Sequence, residues 1–481
     1  MKYDIIIIGA GLGGLTAGAK LSREGKKVLL LEQHDRPGGC ATTFRRRDFT
    51  MEVGLHELHG PAPGDLKMKI FEDLDVFKNV EFVKIPEFYR FINGRTDIKI
   101  PHDPIAATEI LSARFPKESE GIKAYFDQLL KPKKKTPEGP PPDKSIGEFL
   151  DSVITDNELK LVLLGNLGYY HDDPYSLSLA YYSQAQGSYY SAGASFIKGG
   201  SQKLSDHLAA FIRDHGGEVL LNHRVTGILE ENGKLTGVTC SNIKDKASPA
   251  ASVHGDEIIA GCSVPGLVDL LPSAASCALA EELKDQKTGA SLLTLYLGFS
   301  KPLSAIGWNT YSSFIFDDSV INQSDIIINN NSDFSQRLFT FIDYGQIESG
   351  LAPAGKSVGA VCCIDYLKDW QDLPAADYVK KKESVAQKLC NRLEKVIPGV
   401  KEIIEFYEVA TPSTVKRYTL NTGGAVYGFA QTPSRKMIDN SRLPGNIHFA
   451  SAWGRTGGGF SGAIYGGYLC AINIMRKKPV G

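Results

Sequence analysis

Residues 3–32 read YDIIIIGAGLGGLTAGAKLSREGKKVLLLE. Residues 3–8 are short, β-branched and without polar alternation, as a strand buried on both faces requires. Gly9, Gly11 and Gly14 follow at once in the pattern G-x-G-x-x-G. Residues 16–22 then fit a helix, which Gly25 ends as a C-terminal cap. Residues 27–31 fit a second buried strand, closed by Glu32, 23 residues after Gly9. Gly9 permits the tight turn, Gly11 lets the backbone approach a pyrophosphate, and Gly14 lets the helix pack close to the strand. The helix N-terminus offers free N–H groups and a positive dipole end to the phosphates. Glu32 stands where a carboxylate accepts hydrogen bonds from an adenosine ribose. A phosphorylated ribose would be repelled there, so FAD or NAD fits better than NADP.

The rest of the chain bounds the context. Its 481 residues allow one large domain or two to three intertwined ones. A net charge of −1 gives no global field toward nucleic acid or an anionic membrane. The eight cysteines (40, 240, 262, 277, 362, 363, 390 and 470) contain no C-x-x-C pair. They are expected to be buried free thiols of a reducing compartment. The first strand begins almost at the initiator methionine, so no secretory signal is expected and the location reads as cytoplasmic. Residues 456–475 are uncharged and long enough to span a membrane. Their six glycines and one asparagine fit a buried loop leading into a helix better.

After Glu32 comes QHDRPGGCATTFRRRDFTMEVGLHELHG. Gly38-Gly39, six residues past the acid, resembles the second part of the fingerprint in FAD-containing oxidases and desaturases of the amine oxidase and phytoene desaturase superfamily. FTMEVGLHEL is similar to the family segment that passes the isoalloxazine ring, with Glu52, Gly54 and His56 at the matching positions. Residues 199–228 fit a helix with Leu204, Leu208, Phe211 and Ile212 on one face. Gly216-Gly217 caps it, and one strand follows with Val225 near its end; the family residue matching Val225 contacts adenine through its backbone. DEIIAGCSVPGLVDLL resembles the family's return strand and its proline, here Pro265. NIHFASAWGRTGGGFSGAIYGGYLCAINIM resembles the terminal flavin motif, a strand at 447–450, a glycine-rich loop and a helix from about Phe460. Many relatives carry an acid after that strand that binds the ribityl chain; here Ser451 and Ala452 stand there.

The resemblance implies an α/β fold: a Rossmann-like, discontinuous FAD-binding domain (GR2-type) with a mixed α+β substrate domain. The expected divisions are 1–90, 195–275 and 435–481 for FAD, and 91–194 and 276–434 for substrate. It assigns Gly9, Gly11, Leu12, Gly13, Gly14, Glu32, Gln33, Gly38, Gly39, Thr43, Gly54, Leu55, Val225, Trp453, Gly459, Phe460 and Ser461 to the cofactor. His56, Glu57 and Arg455 are the candidates for proton transfer and charge stabilisation. Glu57 reads equally as a surface acid or as a partner of Arg455 or His59. Histidine spacing gives no metal site.

Residues 410–435, with T-P-x-T-x-x-R-Y and then Tyr427-Gly428, resemble carotenoid isomerases and retinol saturases of the phytoene desaturase branch. That branch implies hydride transfer to or from a C=C bond of an apolar polyene or isoprenoid: saturation, isomerisation or desaturation. No second G-x-G-x-x-G is present, so the electron donor or acceptor stays open. The alternatives are an amine oxidase-like flavoenzyme, with Trp453 as one wall of an aromatic cage, and a reductase of polyene natural products. A remote one is a flavin-free binder of prenylated proteins, similar to GDP-dissociation inhibitors. Residues 131–145 are basic and proline-rich, a loop or a docking point for a lipid surface. Residues 169–190 hold seven tyrosines, able to line an apolar pocket or simply to pack. The stretch around Ile328 reads as a strand ending in a polar turn.

Overall fold

A computed structural model describes residues 2–131, 143–245, 247 and 249–476. The opening stretch forms the strand Lys2–Ile8, the helix Leu12–Arg23 and the strand Val28–Leu31. Lys2–Ile8 lies centrally in a mixed seven-stranded sheet, parallel to its neighbours Val28–Leu31 and Ala251–Ala260, with Lys234–Asn242 and His223–Glu231 added antiparallel beyond the latter. Glu218–Leu220 extends the sheet on one side, and Ile447–Phe449 pairs with Ala251–Ala260 on the other. The chain thus leaves the first strand one way and returns on its other flank, which opens a crevice at the strands' carboxyl ends. Gly25 adopts φ +76° and closes the first helix. The terminal helix Gly459–Arg476 packs on the first helix through glycine, since a Cβ on Gly467 would lie 2.2 Å from the Gly13 carbonyl oxygen.

A second seven-stranded sheet runs Ile404–Ala410, Ser291–Phe299, Ser357–Asp365, Phe339–Asp343, Ser312–Ile315, Tyr89–Ile92 and Asp97–Ile100. Helices from residues 104–192 pack around a core that includes Phe88, Tyr89 and Phe314. A small antiparallel sheet of Leu58–His59, Ala194–Ile197 and Phe82–Lys84 joins the two halves.

Four expectations need correction. The strand expected through 218–228 is two strands, Glu218–Leu220 and His223–Glu231. Asn222, at φ +61°, breaks it and donates its N–H to the His34 carbonyl oxygen, so Val225 lies near a strand's start. The stretch at Ile328 is a short helix, Asp325–Asn329. A strand would put Ile326 and Ile328 on one face, yet Ile326 is 2% exposed and Ile328 68%. Two expected divisions also cut strands, residue 90 within Tyr89–Ile92 and residue 194 at the start of Ala194–Ile197. Of the cysteines, Cys277 is exposed and Cys40 and Cys262 partly so; all eight are free. The basic stretch 131–145 lies outside the described residues except at its ends.

Candidate active site

At the crevice the glycines of the first loop do different work. A Cβ on Gly14 would lie 2.3 Å from the Gly9 carbonyl oxygen, and one on Gly13 would lie 2.0 Å from that of Ala450. Those positions are glycine because protein backbone occupies the space. Gly11 differs, for its nearest neighbour would be at 3.7 Å and its backbone, φ −68° and ψ 166°, suits any residue. The protein itself places no demand on Gly11. Glu32 is buried, with Oε2 accepting the Ala10 N–H at 2.7 Å and Oε1 the His34 N–H at 2.9 Å. Gly38 donates to the Ala10 carbonyl oxygen at 2.7 Å, so the Gly38-Gly39 turn is stitched to the first loop. Past the strand Ala251–Ala260, the buried Ser263 hydroxyl has no partner. Open space at Gly11, a fixed carboxylate and an orphaned hydroxyl fit a dinucleotide. Leu12 and Val225 are buried, Gln33 and Thr43 partly exposed.

The segment 52–57 crosses from the hairpin strand Phe49–Glu52 to the small sheet. Glu52 clamps its start. Oε1 accepts the N–H groups of Gly54 and Leu55 and the Ser201 hydroxyl, and Oε2 accepts the Ser201 N–H at 2.7 Å. Burial nevertheless raises its pKa from 4.5 to about 7, the hydrogen bonds holding it down. The stability from a raised carboxyl is present below 4.5 and lost as pH rises through about 7, roughly 3 kcal/mol at about 1.4 kcal/mol per unit. Glu52→Gln loses the Ser201 N–H bond, because an amide nitrogen donates. It is expected to melt below the parent at pH 5 and to lose less stability between pH 5 and 8. Thermal unfolding at both pH values checks this, and an unchanged pH slope would refute it.

Four tyrosines then hold the segment by its carbonyl oxygens. Tyr296 donates to Val53 (3.5 Å), Tyr344 to Leu55 (3.0 Å), Tyr311 to His56 and Tyr189 to Glu57 (3.4 Å). They come from distant segments, so the side chains of His56 and Glu57 are set from all sides. His56 Nε2 lies 3.4 Å from the Cys362 sulfur, and its ring 5.7 Å from that of Tyr169. Burial lowers the His56 pKa to about 4, so the ring is neutral near pH 7.

Glu57 is 8% exposed, and neither carboxyl oxygen has a hydrogen-bond partner. Burial pushes its pKa well above the carboxylate range and the charge of Glu87 adds to it, while the nearby Tyr169 hydroxyl, itself without a partner in hydrogen-bond geometry, holds it back. Glu57 is therefore neither a surface acid nor paired with Arg455 or His59. His56, Tyr169, Tyr170, Tyr181, Tyr189 and Tyr427 keep accessible surface, yet burial strongly shifts the pKa of each. Tyr169 packs on the His56 ring and Tyr189 reaches the Glu57 carbonyl oxygen, so aromatic rings gather about residues 56–57.

The terminal loop corrects two expectations. Trp453 is 2% exposed, stacks edge-on against Phe429 at 4.9 Å and donates Nε1–H to Asn421. Its ring is committed to the core and cannot wall a cage. Arg455 is exposed and joins none of the contacts around His56 and Glu57. The cation that holds this loop is Arg435, donating to the Gly454 carbonyl oxygen at 2.9 Å. A Cβ on Gly458 would lie 2.3 Å from the Tyr427 carbonyl oxygen, so the 427–428 segment sits backbone to backbone on the loop. Gly459 has φ +74° and open space, with nothing within 4 Å of where a Cβ would stand, and Phe460 and Ser461 form the first turn of the helix. Gly54 is exposed, while Leu55 is fully buried. Sequence reading marks Tyr189 within the tyrosine cluster 169–190 but misses Tyr296, Tyr311, Tyr344, Cys362, Arg435 and the buried Lys67, since nothing local marks them.

This chain belongs to the flavin containing amine oxidoreductase family, whose model matches residues 12–475, and FAD is its cofactor. It is 26% identical to a chloroplastic prolycopene isomerase of Daucus carota, over 100% of this chain and 82% of the relative. It is 24% identical to an all-trans-retinol 13,14-reductase of Danio rerio, over 99% and 86%. Its fold is similar to that of an oxidoreductase from Methanosarcina mazei, with a TM-score of 0.72, 17% identity and coverage of 99% and 100%. No helix among the described residues is long and apolar enough to cross a membrane.

Proposed function

We propose that this FAD-dependent oxidoreductase transfers hydride to or from a C=C bond of an apolar conjugated polyene or isoprenoid. The observation that carries the reading is Glu57, a buried carboxyl whose oxygens have no hydrogen-bond partner, set among Tyr169 and Tyr189. Relatives named for prolycopene and all-trans-retinol support the substrate class. FAD, when bound, supplies the two-electron hydride donor or acceptor. The residues that would hold it are Gly9, Gly11, Leu12, Gly13, Gly14, Glu32, Gln33, Gly38, Gly39, Thr43 and Val225 for its dinucleotide part. Gly54, Leu55, Gly459, Phe460 and Ser461 would hold the flavin, with the terminal helix's positive end toward the ring.

The chain's own part is proton management and shape. In saturation, one alkene carbon receives hydride and Glu57 gives its proton to the other; desaturation reverses both transfers. The tyrosine walls exclude water and accept an apolar chain along their rings. His56, neutral and backed by Cys362, packs beside the acid without adding charge. The second sheet and the helices around it would form the substrate domain, with divisions before Tyr89 and Ala194 so that no strand is cut.

The test is anaerobic stopped flow of photoreduced holoprotein against all-trans-retinol, carotenes and apolar enones, following the flavin band near ~450 nm. Its return on mixing supports saturation. Bleaching of oxidised enzyme by substrate supports desaturation. Failure of both, with reaction of amines instead, would overturn the reading.

A further inference from the structure

Lys67 sits in the first turn of the helix Leu66–Asp73 and is 0% exposed. A buried ammonium is costly unless every N–H is used. Here Nζ lies 2.7 Å from Asp65 Oδ2, 2.9 Å from the Tyr465 hydroxyl and 2.5 Å from His59 Nε2. Asp65 in turn accepts the Tyr465 hydroxyl at 2.6 Å and the Lys67 N–H at 3.0 Å.

This arrangement has a direction. An ammonium donates and never accepts, so His59 Nε2 must be the acceptor. Burial and the charge of Lys67 lower the His59 pKa to about 3, against the pull of Asp65, so the ring is neutral with its proton on Nδ1. Nδ1 lies 3.3 Å from Ser461 Oγ and must donate to it. The Ser461 oxygen is then an acceptor within the protein, and its own O–H is left to donate outward. Ser461 is in the first turn of the terminal helix Gly459–Arg476. The orphaned Glu57 carboxyl marks the same region independently. Glu57 lies two residues before His59, just ahead of the strand Leu58–His59. Tyr189 touches both, its ring 5.5 Å from that of His59 and its hydroxyl on the Glu57 carbonyl oxygen.

We propose that Lys67, His59 and Ser461 form a one-way hydrogen-bond relay that presents a cation-backed hydroxyl donor to the flavin and favours its reduced form. The proposal rests on the reading that places the flavin at the start of the terminal helix. Lys67 and His59 are positioning residues, acting through Ser461. With its oxygen accepting from His59, the Ser461 O–H would be left free to donate to negative charge on FAD when it is bound and reduced.

The test measures the flavin reduction potential and FAD affinity of the holoprotein. Ser461→Ala and His59→Leu are expected to weaken reduced FAD ten- to a hundredfold relative to oxidised FAD, which lowers the two-electron potential by about 30–60 mV. Combining them should add nothing, since both cut one line. His59→Gln should restore most of the loss, because its carbonyl oxygen accepts from Lys67 and its amide donates to Ser461. Lys67→Met leaves Asp65 unpaired and can fail to fold, so the Ser461 and His59 variants decide the matter. Yellow, parent-like Ser461→Ala with an unchanged potential would overturn the relay and leave the proposed function standing. So would a His59→Leu shift that persists in full on the Ser461→Ala background. A parent protein that takes up no FAD would overturn the relay and the proposed function alike.

Discussion

Glu57→Gln is expected to lower turnover on the polyene that reoxidises the reduced enzyme by roughly 10²–10⁴, the usual range for a lost general acid. FAD binding and the flavin potential should stay close to the parent's. Glutamine keeps the shape and cannot supply a proton. In the saturating direction the parent's rate should fall as pH rises through the raised pKa of Glu57, and the residual rate of the variant should lack that limb. Stability supplies an independent check. A carboxyl raised by burial contributes stability below its unfolded value, and that is lost as pH rises through its folded pKa. The always neutral glutamine should therefore gain on the parent as pH rises. Turnover within threefold of the parent's, with an unchanged pH profile, would mean that the proton comes from elsewhere.

The start of the fold is legible because its determinants are local. Gly9 at φ +96°, the β-branched run before it and Glu32 after the second strand are each fixed by near neighbours. The same holds for the face of Leu204, Leu208 and Ile212, which is buried as its spacing requires. The chemistry is legible only in part. His56 and Glu57 can be chosen from their segment, but the isolation of the Glu57 carboxyl depends on residues hundreds of positions away. Lys67 shows the limit well. In LKMKIFED two lysines flank Met68; Lys67 is fully buried and Lys69 exposed, and only the approach of Tyr465 and His59 distinguishes them. Trp453 and Arg455 mislead for the same reason. An aromatic and a cation beside a glycine-rich loop look like site residues until Phe429 takes the ring and Arg435 takes the loop.

The contrast between Gly11 and Gly14 yields the other large effect. Gly14→Ala drives a Cβ to 2.3 Å from the Gly9 carbonyl oxygen, so the turn or the helix must shift. Overpacking of that kind costs roughly 1–3 kcal/mol or more, and the apoprotein itself should melt earlier. Gly11→Ala meets nothing nearer than 3.7 Å and needs no unusual dihedral. The apoprotein should melt within about 0.5 kcal/mol of the parent, as for an undemanding surface change. FAD should nevertheless be lost, because the methyl group fills the approach reserved for the pyrophosphate. An affinity loss of about a hundredfold corresponds to about 2.7 kcal/mol. The two variants then separate in one pair of experiments. Excess FAD stabilises only a chain that binds it, by an amount set by ligand concentration over Kd. Melting of Gly11→Ala should match the parent without FAD and fall behind it with FAD, whereas Gly14→Ala should fall behind in both. A Gly11→Ala protein that stays yellow with parent affinity would show that the space at Gly11 is not where the cofactor's phosphates approach.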